Sequence, residues 1–331
     1  MTGNGKRAEK RRELIELDRG ARRLVRQRKY KEAERKFRQA LAIDPRDVYL
    51  LVGLGDTKRK EKQFSDAARQ YQKALEIDER NKFALAGLGD VYRGCLGEME
   101  KALETWLHYL SLNPEDYKVM TRVADGLKKK GDLENAKNYY FMALEKDPED
   151  PYALIGLGDI NVQLGNDAEA LGFFKRLLEK SSGNLVALSS AATIYRKKGD
   201  YQRALSYYDL ALRINPRDSH SWHGKADCLR GLREYAAAIE AWESALECGM
   251  DPRIAMTRIG DSCLSLNDLS GAEESYRKAL GLGYDKWAHL GLTKIHMRRN
   301  ERRKARDILA MLMEKEPNDP RLIHLHQQLE Q

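Results

Sequence analysis

Residues 185–218 read LVALSSAATIYRKKGDYQRALSYYDLALRINPRD, and this stretch decides the fold. Its first part carries apolar side chains at the spacing of an amphipathic helix: Leu188, Ala191, Ala192 and Tyr195. Gly199 and Asp200 then interrupt the pattern. The helical spacing resumes at Ala204, Tyr208 and Ala211, until Asn215 and Pro216 end it. The stretch therefore predicts a helix, a turn and a second helix.

The same pattern recurs along the chain at a step of about 34 residues. Small residues return where the two helices of a unit would cross, which allows close approach of their backbones. The predicted units are 14–47, 48–81, 82–116, 117–150, 151–184, 185–218, 219–252, 253–283 and 284–319. Irregular joints are expected near Gly94, Ser182 and Gly283, where the spacing or the closing proline departs from the pattern.

These registered copies resemble the tetratricopeptide repeat over residues 14–319, in their Leu-Gly, Tyr, Ala and Pro series. The resemblance implies an all-α fold, a right-handed superhelical α-solenoid of about nine helix-turn-helix repeats. Residues 320–331 read as a lone amphipathic helix that caps the last repeat. Residues 1–13 are expected to be a basic, flexible N-terminal segment.

The net charge of +8 is concentrated at one end of the chain. Residues 1–40 contain 15 Lys or Arg and 6 Asp or Glu, so the other residues sum to about −1. The four cysteines show no CxxC spacing, which favours free thiols in a reducing compartment. No apolar stretch has the length of a membrane span, and the N-terminus lacks an apolar signal core. We expect a cytoplasmic protein, or a periplasmic one if a signal segment has been removed.

In tetratricopeptide repeats the first helix of each unit lines the concave groove, so the resemblance implies candidate groove residues. Its ninth position is acidic in six repeats: Asp56, Asp90, Asp125, Asp159, Asp227 and Asp261. The other three repeats have Arg22, Thr193 and Leu292 at this position. Basic residues follow three positions later, at Arg59, Arg93, Lys128, Arg196 and Arg230. This spacing predicts ion pairs within the same helix in four repeats.

Aromatic residues at the second position, Tyr49, Phe83 and Tyr152, and Val52 at the fifth position are expected to form an apolar floor. Aromatic anchors beside paired charges are typical of a peptide groove. The alternative for each aspartate is a helix-stabilising surface choice. The carboxylate clamp known in this family is not expected, because Asp18 and Arg22 occupy its first positions. The prediction is a scaffold that binds a protein or peptide partner, mainly between Tyr49 and Asp159.

A different class of function rests on a basic patch at the N-terminal end: Arg19, Arg22, Arg23, Arg26, Arg28 and Lys29. These side chains could bind nucleic acid or another acidic surface. Stacking aromatics are not interleaved with the basic residues, which argues against nucleic acid. The irregular repeats or an exposed apolar end also leave self-association open.

No catalytic motif, cofactor site or metal site is predicted. The Gly-Leu-Gly triplets that begin at Gly53, Gly87 and Gly156 do not complete a phosphate-binding motif and lie within predicted helices. His220, His223 and Asp227 share a helical face, but no further metal ligand is placed with them. Residues 87–94 and 226–231 also resemble bacterial tetratricopeptide scaffolds, including some attached to flagellar motors, which implies an assembly at the cell envelope.

Overall fold

The computed structural model describes residues 3–330, with side chains given except at 3–8, 95, 96 and 330. Within this range all regular structure is helical. The chain divides after Leu164 into two units, each with its own set of helices.

Unit 1 contains nine α-helices and one π-helical turn within its described residues. They are α1 Gly3–Arg26, α2 Tyr30–Ile43, α3 Val48–Lys60, α4 Phe64–Ile77, α5 Lys82–Val91, the π-helical turn Tyr92–Leu96, α6 Met99–Leu112, α7 Tyr117–Lys130, α8 Leu133–Lys146 and α9 Pro151–Gln163. Consecutive helices form pairs (α1 with α2, α3 with α4, α5 with α6, α7 with α8), and the second helix of each pair packs against the first helix of the next.

Unit 2 repeats this arrangement with ten α-helices in its described part. They are α10 Asp167–Lys180, α11 Leu185–Lys197, α12 Tyr201–Ile214, α13 Ser219–Gly231, α14 Tyr235–Glu247, α15 Pro252–Ser265, α16 Leu269–Gly281, α17 Lys286–Arg298, α18 Arg302–Lys315 and α19 Pro320–Glu330. The pairs begin at α11, and α19 packs against α18. Leu322, Leu325 and Leu329 of α19 are buried in an apolar cluster with Leu309 and Leu312.

Asp and Asn side chains set the start of most first helices. Asp47 accepts hydrogen bonds from the backbone N–H groups of Tyr49 and Leu50, at 2.9 and 3.1 Å. Asp150 accepts one from Ala153 at 2.8 Å. Such caps satisfy backbone donors that have no partner within the helix. The capping residue at the end of one repeat thereby anchors the first helix of the next repeat.

A large aromatic side chain on the second helix forms the centre of most repeats. In each unit these rings are at most 1% exposed: Phe37, Tyr71, Trp106 and Tyr140 in unit 1, and Phe174, Tyr208, Trp242 and Tyr276 in unit 2. Glycines on the following first helix allow this packing. A Cβ atom at Gly156 would lie 2.2 Å from Cζ of Tyr140, and one at Gly224 would lie 2.1 Å from Cζ of Tyr208. The helix pairs approach each other closely because these positions lack side chains.

One local feature differs from the expectations drawn from the sequence. Helix α1 begins at Gly3 instead of residue 14, so residues 3–13, expected to be a separate flexible segment, continue the helix. The reason is that Lys, Arg, Glu and Ala favour helix and no glycine or proline interrupts them after Gly5. The extra residue of the third repeat is accommodated in the π-helical turn Tyr92–Leu96. Among residues 3–330, no helix is both long and apolar enough to cross a bilayer.

Candidate binding surface on the first helices

Of the first helices of unit 1 (α1, α3, α5, α7 and α9), three expose a large aromatic side chain near the N-terminal end, namely α3, α5 and α9. Tyr49, Phe83 and Tyr152 are 61, 54 and 68% exposed. Each is the second residue of its helix, and α3 contacts α5 while α7 contacts α9. Val52 was expected beside Tyr49 on this surface, but it is buried, because α3 is flanked by α1 and α5 at this level. We call the exposed face that carries these three rings the aromatic surface of unit 1.

Three of the six aspartates at the ninth position accept hydrogen bonds from buried tyrosines of their own repeat. The Tyr71 hydroxyl donates to Asp56 at 2.7 Å, and Tyr140 donates to Asp125 at 2.5 Å. In unit 2, Tyr276 donates to Asp261 at 2.9 Å. Burial and the adjacent carboxylate raise the pKa of each of these three tyrosines well above the usual value. These aspartates therefore join the two helices of a repeat, a role that their own spacing did not indicate.

The basic residues that follow reach the aspartate of the next repeat. Nitrogen–oxygen distances are 3.2 Å from Arg59 to Asp90, 2.9 Å from Lys128 to Asp159 and 2.7 Å from Arg196 to Asp227. Each pair spans 31 residues, so it connects neighbouring first helices. The contact forms because the first helices lie side by side within each unit.

The predicted ion pairs within one helix are present at only two of the four positions. Arg59 lies 3.6 Å from Asp56, and Arg230 lies 3.2 Å from Asp227. Lys128 is directed to Asp159 of the next repeat instead, at 2.9 Å. Arg93 lies over the ring of Trp106, at 5.5 Å from the ring centre. The prediction was wrong for Lys128 and Arg93. A spacing of three residues along one helix gives no information about competing partners on neighbouring helices.

Asp90 is bound by basic residues from both neighbouring first helices. Arg59 binds one of its oxygens and Arg122 lies 3.2 Å from the other. The Asp90 side chain is only 18% exposed. Reversing this charge would therefore disturb the packing of three neighbouring first helices, so such a variant would not report on partner binding alone.

In unit 2, α17 is the first helix of the final helix pair, and it departs from the aspartate pattern. Leu292, expected on the groove wall, is buried in the core. A Cβ at Gly291 would meet Tyr276, as one at Gly224 would meet Tyr208, and this correspondence places Lys294 at the position of Asp227. The irregular length of the turn before α17 shifted the sequence register. Helix α17 contains no acidic residue at all, which is the sequence signal for this change.

A cavity of about 810 Å³ opens on the first-helix side of unit 2. It is lined by Tyr201, Asp227, Arg230, Gly231, Tyr235, Arg258, Asp261, Leu264, Ser265, Trp287, Leu290, Gly291, Lys294, Arg298, Arg321, His324 and Leu325. The three candidates Asp227, Arg230 and Asp261 are thus brought together, but most of the lining was not identified from the sequence. Helix α19 contributes Arg321 and His324, so it does more than cover the end of the last pair.

The basic patch lies on the last turns of α1 and on the turn after it, and all six of its side chains are exposed. Arg22 is held by Asp18 at 2.8 Å and donates to the backbone oxygen of Tyr49 at 3.4 Å. For the other five, the described residues supply no ion pair, so these charges are open to solvent.

His223 and Cys228 lie on α13, where His223 is half-buried and Cys228 is buried. His223 Nε2 lies 3.6 Å from Asp227, and burial lowers the pKa of its imidazole. No group of three potential metal ligands comes together within the described residues. Burial raises the pKa of the Cys228 thiol to about 12, so this thiol is protonated at neutral pH.

Comparison with known proteins identifies the family. A family model described as tetratricopeptide repeat matches residues 19–82, 124–184, 190–253 and 223–286, and a second model of the same description matches 264–329. The chain belongs to the tetratricopeptide repeat family. The predicted α-solenoid of helix-turn-helix repeats is confirmed, and this fold typically serves as a non-catalytic scaffold for protein–protein interaction.

Solved structures show the same fold at low sequence identity. The C-terminal part of a repeat protein from Cytophaga hutchinsonii is 16% identical with a TM-score of 0.63, over 73% of this chain and 99% of that chain. PilW, described as a type IV pilus biogenesis factor, is 18% identical with a TM-score of 0.57, over 63 and 96%. The Cut9–Hcn1 structure is 16% identical with a TM-score of 0.54, over 80% of this chain and 52%, about half, of that chain. Comparison with curated proteins found no match.

Proposed function

We propose that this chain is a non-catalytic scaffold that binds a segment of a partner protein on the aromatic surface of unit 1. The observation that carries the proposal is the exposure of Tyr49, Phe83 and Tyr152 at one helical position, at 54 to 68% each. Three large rings in equivalent places, on α3, α5 and α9, offer apolar anchors, and aromatic rings dominate the affinity of many protein interfaces.

The charges beside these rings support binding by shape and apolar contact. Arg59, Arg122 and Lys128 already have carboxylate partners within the unit. These basic side chains are therefore already neutralised, so a partner segment does not have to supply a counter-ion to them. Burial of one exposed aromatic side chain contributes on the order of 1.5–3 kcal/mol, so the rings would supply most of the affinity.

Two of the proteins with a similar fold have descriptions that name a cellular role or a complex. PilW is described as a pilus biogenesis factor, and Cut9–Hcn1 as an APC/C hetero-tetramer. A scaffold role for this chain agrees with that setting. A location in a bacterial envelope or flagellar assembly rests only on the short stretches 87–94 and 226–231, and it stays a prediction.

The proposal is tested by affinity capture with the wild-type chain and with the triple variant Tyr49→Ala, Phe83→Ala and Tyr152→Ala. We expect the variant to lose the partners that the wild type retains, without loss of helical signal. Leu107→Ala with Leu210→Ala is the matched control, because these exposed residues lie on second helices. Equal capture by the triple variant and the wild type would show that the aromatic surface does not bind the partners.

A second candidate is attachment to an acidic surface through the basic patch. The observation in its favour is that Arg23, Arg26 and Lys29 are exposed and have no acidic neighbour in the described part of the chain. Neutralising the patch should then reduce binding to heparin or to nucleic acid, with a steep dependence on salt. If binding survives both neutralisation and high salt, the patch is a solvated helix surface.

A further inference from the structure

The cavity of unit 2 is surrounded by more positive than negative side chains. Five cationic side chains line it, Arg230, Arg258, Lys294, Arg298 and Arg321, against two carboxylates. The cations come from four helices, α13, α15, α17 and α19. A concave site with this imbalance concentrates positive potential where the walls exclude water.

Both carboxylates of the cavity are already engaged. Asp227 lies 2.7 Å from Arg196 and 3.2 Å from Arg230. Asp261 accepts the Tyr276 hydroxyl at 2.9 Å and has Arg258 at 3.6 Å. They therefore cannot neutralise the cations on the opposite side of the cavity.

Three cations face the cavity and form no ion pair with a carboxylate in the described structure. Lys294 is exposed and forms no ion pair. Arg298 donates to the backbone oxygen of Leu264 at 3.0 Å and lies 3.4 Å from the Asn267 side-chain oxygen. Arg321 lies over the ring of Trp287, with its guanidinium carbon 4.8 Å from the ring centre. These groups have unused capacity to bind an anion.

Apolar and aromatic walls separate the charges. Trp287 is 47% exposed on one side, and Tyr201, Tyr235, Leu290 and Leu325 line the remainder. A single small anion could reach only part of a cavity of about 810 Å³. An extended chain with carboxylates on either side of apolar residues matches both the spread of the cations and the walls between them.

We propose that this cavity binds an acidic, leucine- or aromatic-containing peptide segment of a partner protein. The proposal rests on the scaffold function above, but it uses a separate surface and specifies the chemistry of the partner. The acidic side chains pair with Lys294, Arg298 and Arg321, and an apolar side chain packs on Trp287.

The test uses the full chain and a short fluorescein-labelled peptide in which pairs of glutamates alternate with leucines. The same peptide with glutamine in place of glutamate is the neutral probe. Affinity is measured by fluorescence anisotropy for the wild type, for Lys294→Gln with Arg321→Gln, and for Lys197→Gln with Arg213→Gln. The last pair removes the same charge from exposed residues outside the cavity lining. Circular dichroism checks that each variant is folded.

We expect the cavity variant to bind the acidic peptide at least about tenfold more weakly, because two charge-assisted contacts are lost. The control variant should stay within about twofold, as its change acts only through screened long-range charge. The neutral probe should bind weakly to all three proteins.

The proposal is overturned if the cavity and control variants weaken binding equally, or if the neutral probe binds as tightly as the acidic one. It is also overturned if inorganic phosphate displaces the peptide and its own binding depends equally on Lys294 and Arg321, since the cavity would then be a small-anion site. The triple variant of the aromatic surface distinguishes a failure of this proposal from a failure of the scaffold proposal. It should retain peptide binding whether or not it captures a partner.

Discussion

The charged residues of the two units behave differently although they occupy equivalent repeat positions. In unit 1, Asp90 lies between Arg59 and Arg122, and Lys128 reaches Asp159. In unit 2, the carboxylates stop at Asp261 while basic residues continue through α17 and α19. A basic side chain on a first helix is neutralised when its own helix or a neighbouring first helix supplies a carboxylate, as for Arg230, Arg59 and Arg122. The same repeat therefore produces a surface of paired charges or a cationic cavity, depending on the carboxylates of its own and its neighbouring first helices.

The largest expected effect separates two tryptophans of unit 2. Trp242 is completely buried, so Trp242→Ala should lower the free energy of unfolding by about 3–5 kcal/mol. Trp287 is 47% exposed at the cavity, so Trp287→Ala should cost less than about 1 kcal/mol and weaken acidic-peptide binding instead. Urea unfolding and fluorescence anisotropy measure the two quantities. A large stability loss in Trp287→Ala would show that the cavity wall is part of the core.

The glycine contacts should be equivalent in the two units, unlike the charges. Gly156→Ala in unit 1 and Gly224→Ala in unit 2 place a methyl group against a buried tyrosine ring. Each should destabilise the chain by about 1–3 kcal/mol, despite the higher helix propensity of alanine.

Gly172→Ala is the matched control, because no atom lies within 4 Å of the added methyl group. It should raise the unfolding free energy by up to about 1 kcal/mol. Thermal unfolding of the three variants gives the signs. If all three were stabilising, the helix pairs would have room that the close contacts do not suggest.

The tyrosine hydrogen bonds distinguish a charged acceptor from a neutral one. Tyr140→Phe removes a bond to the Asp125 carboxylate, whereas Tyr208→Phe removes a contact of 3.2 Å with the Thr193 hydroxyl, beside the Arg196 side chain. We expect losses of about 1.5–2 kcal/mol and about 1 kcal/mol or less, respectively, at neutral pH.

The advantage of Tyr140 over phenylalanine should depend on pH. Burial and Asp125 raise its pKa in the folded chain, while the unfolded side chain ionises near pH 10. The stabilisation is therefore fully present below about pH 10 and is lost as the pH rises towards the folded pKa. Urea titrations at pH 8 and above about pH 10 should show the two proteins converging. A constant difference would mean that Tyr140 does not remain protonated in the fold.

The smallest changes in stability are expected from removing a single charge on a first helix of either unit. Arg122→Gln breaks a partly exposed pair with Asp90 and should cost less than about 1 kcal/mol, with the difference shrinking at high salt. Lys294→Gln should leave stability unchanged or raise it slightly, because it relieves repulsion among unpaired cations. Chemical unfolding at low and high salt compares the two. A clear stability loss in Lys294→Gln would reveal a partner for this lysine and weaken the case for a cationic cavity.

The helical repeat, its step and the family could all be predicted from the amino-acid sequence. Each repeat is specified by short-range information: apolar spacing, Asp or Asn at the helix starts and breakers such as Gly199 in the turns. These signals act within one helix pair, so they could be read from residues 185–218 and transferred to the other copies. The exposed aromatic positions Tyr49, Phe83 and Tyr152 also followed from the repeat register.

Which charges form ion pairs, and where a cavity lies, depend on how the helices pack in the tertiary structure. Lys128 was expected to pair within its own helix, yet it binds Asp159 on a neighbouring helix. Val52 and Leu292 are buried, although the repeat register placed both on the groove wall. The physical reason is that ion pairing and burial depend on the distance between helices and on competing partners, which a spacing along one helix does not contain. For the same reason Lys294 and Arg321, on different helices, could not be placed at one cavity until the helices were packed.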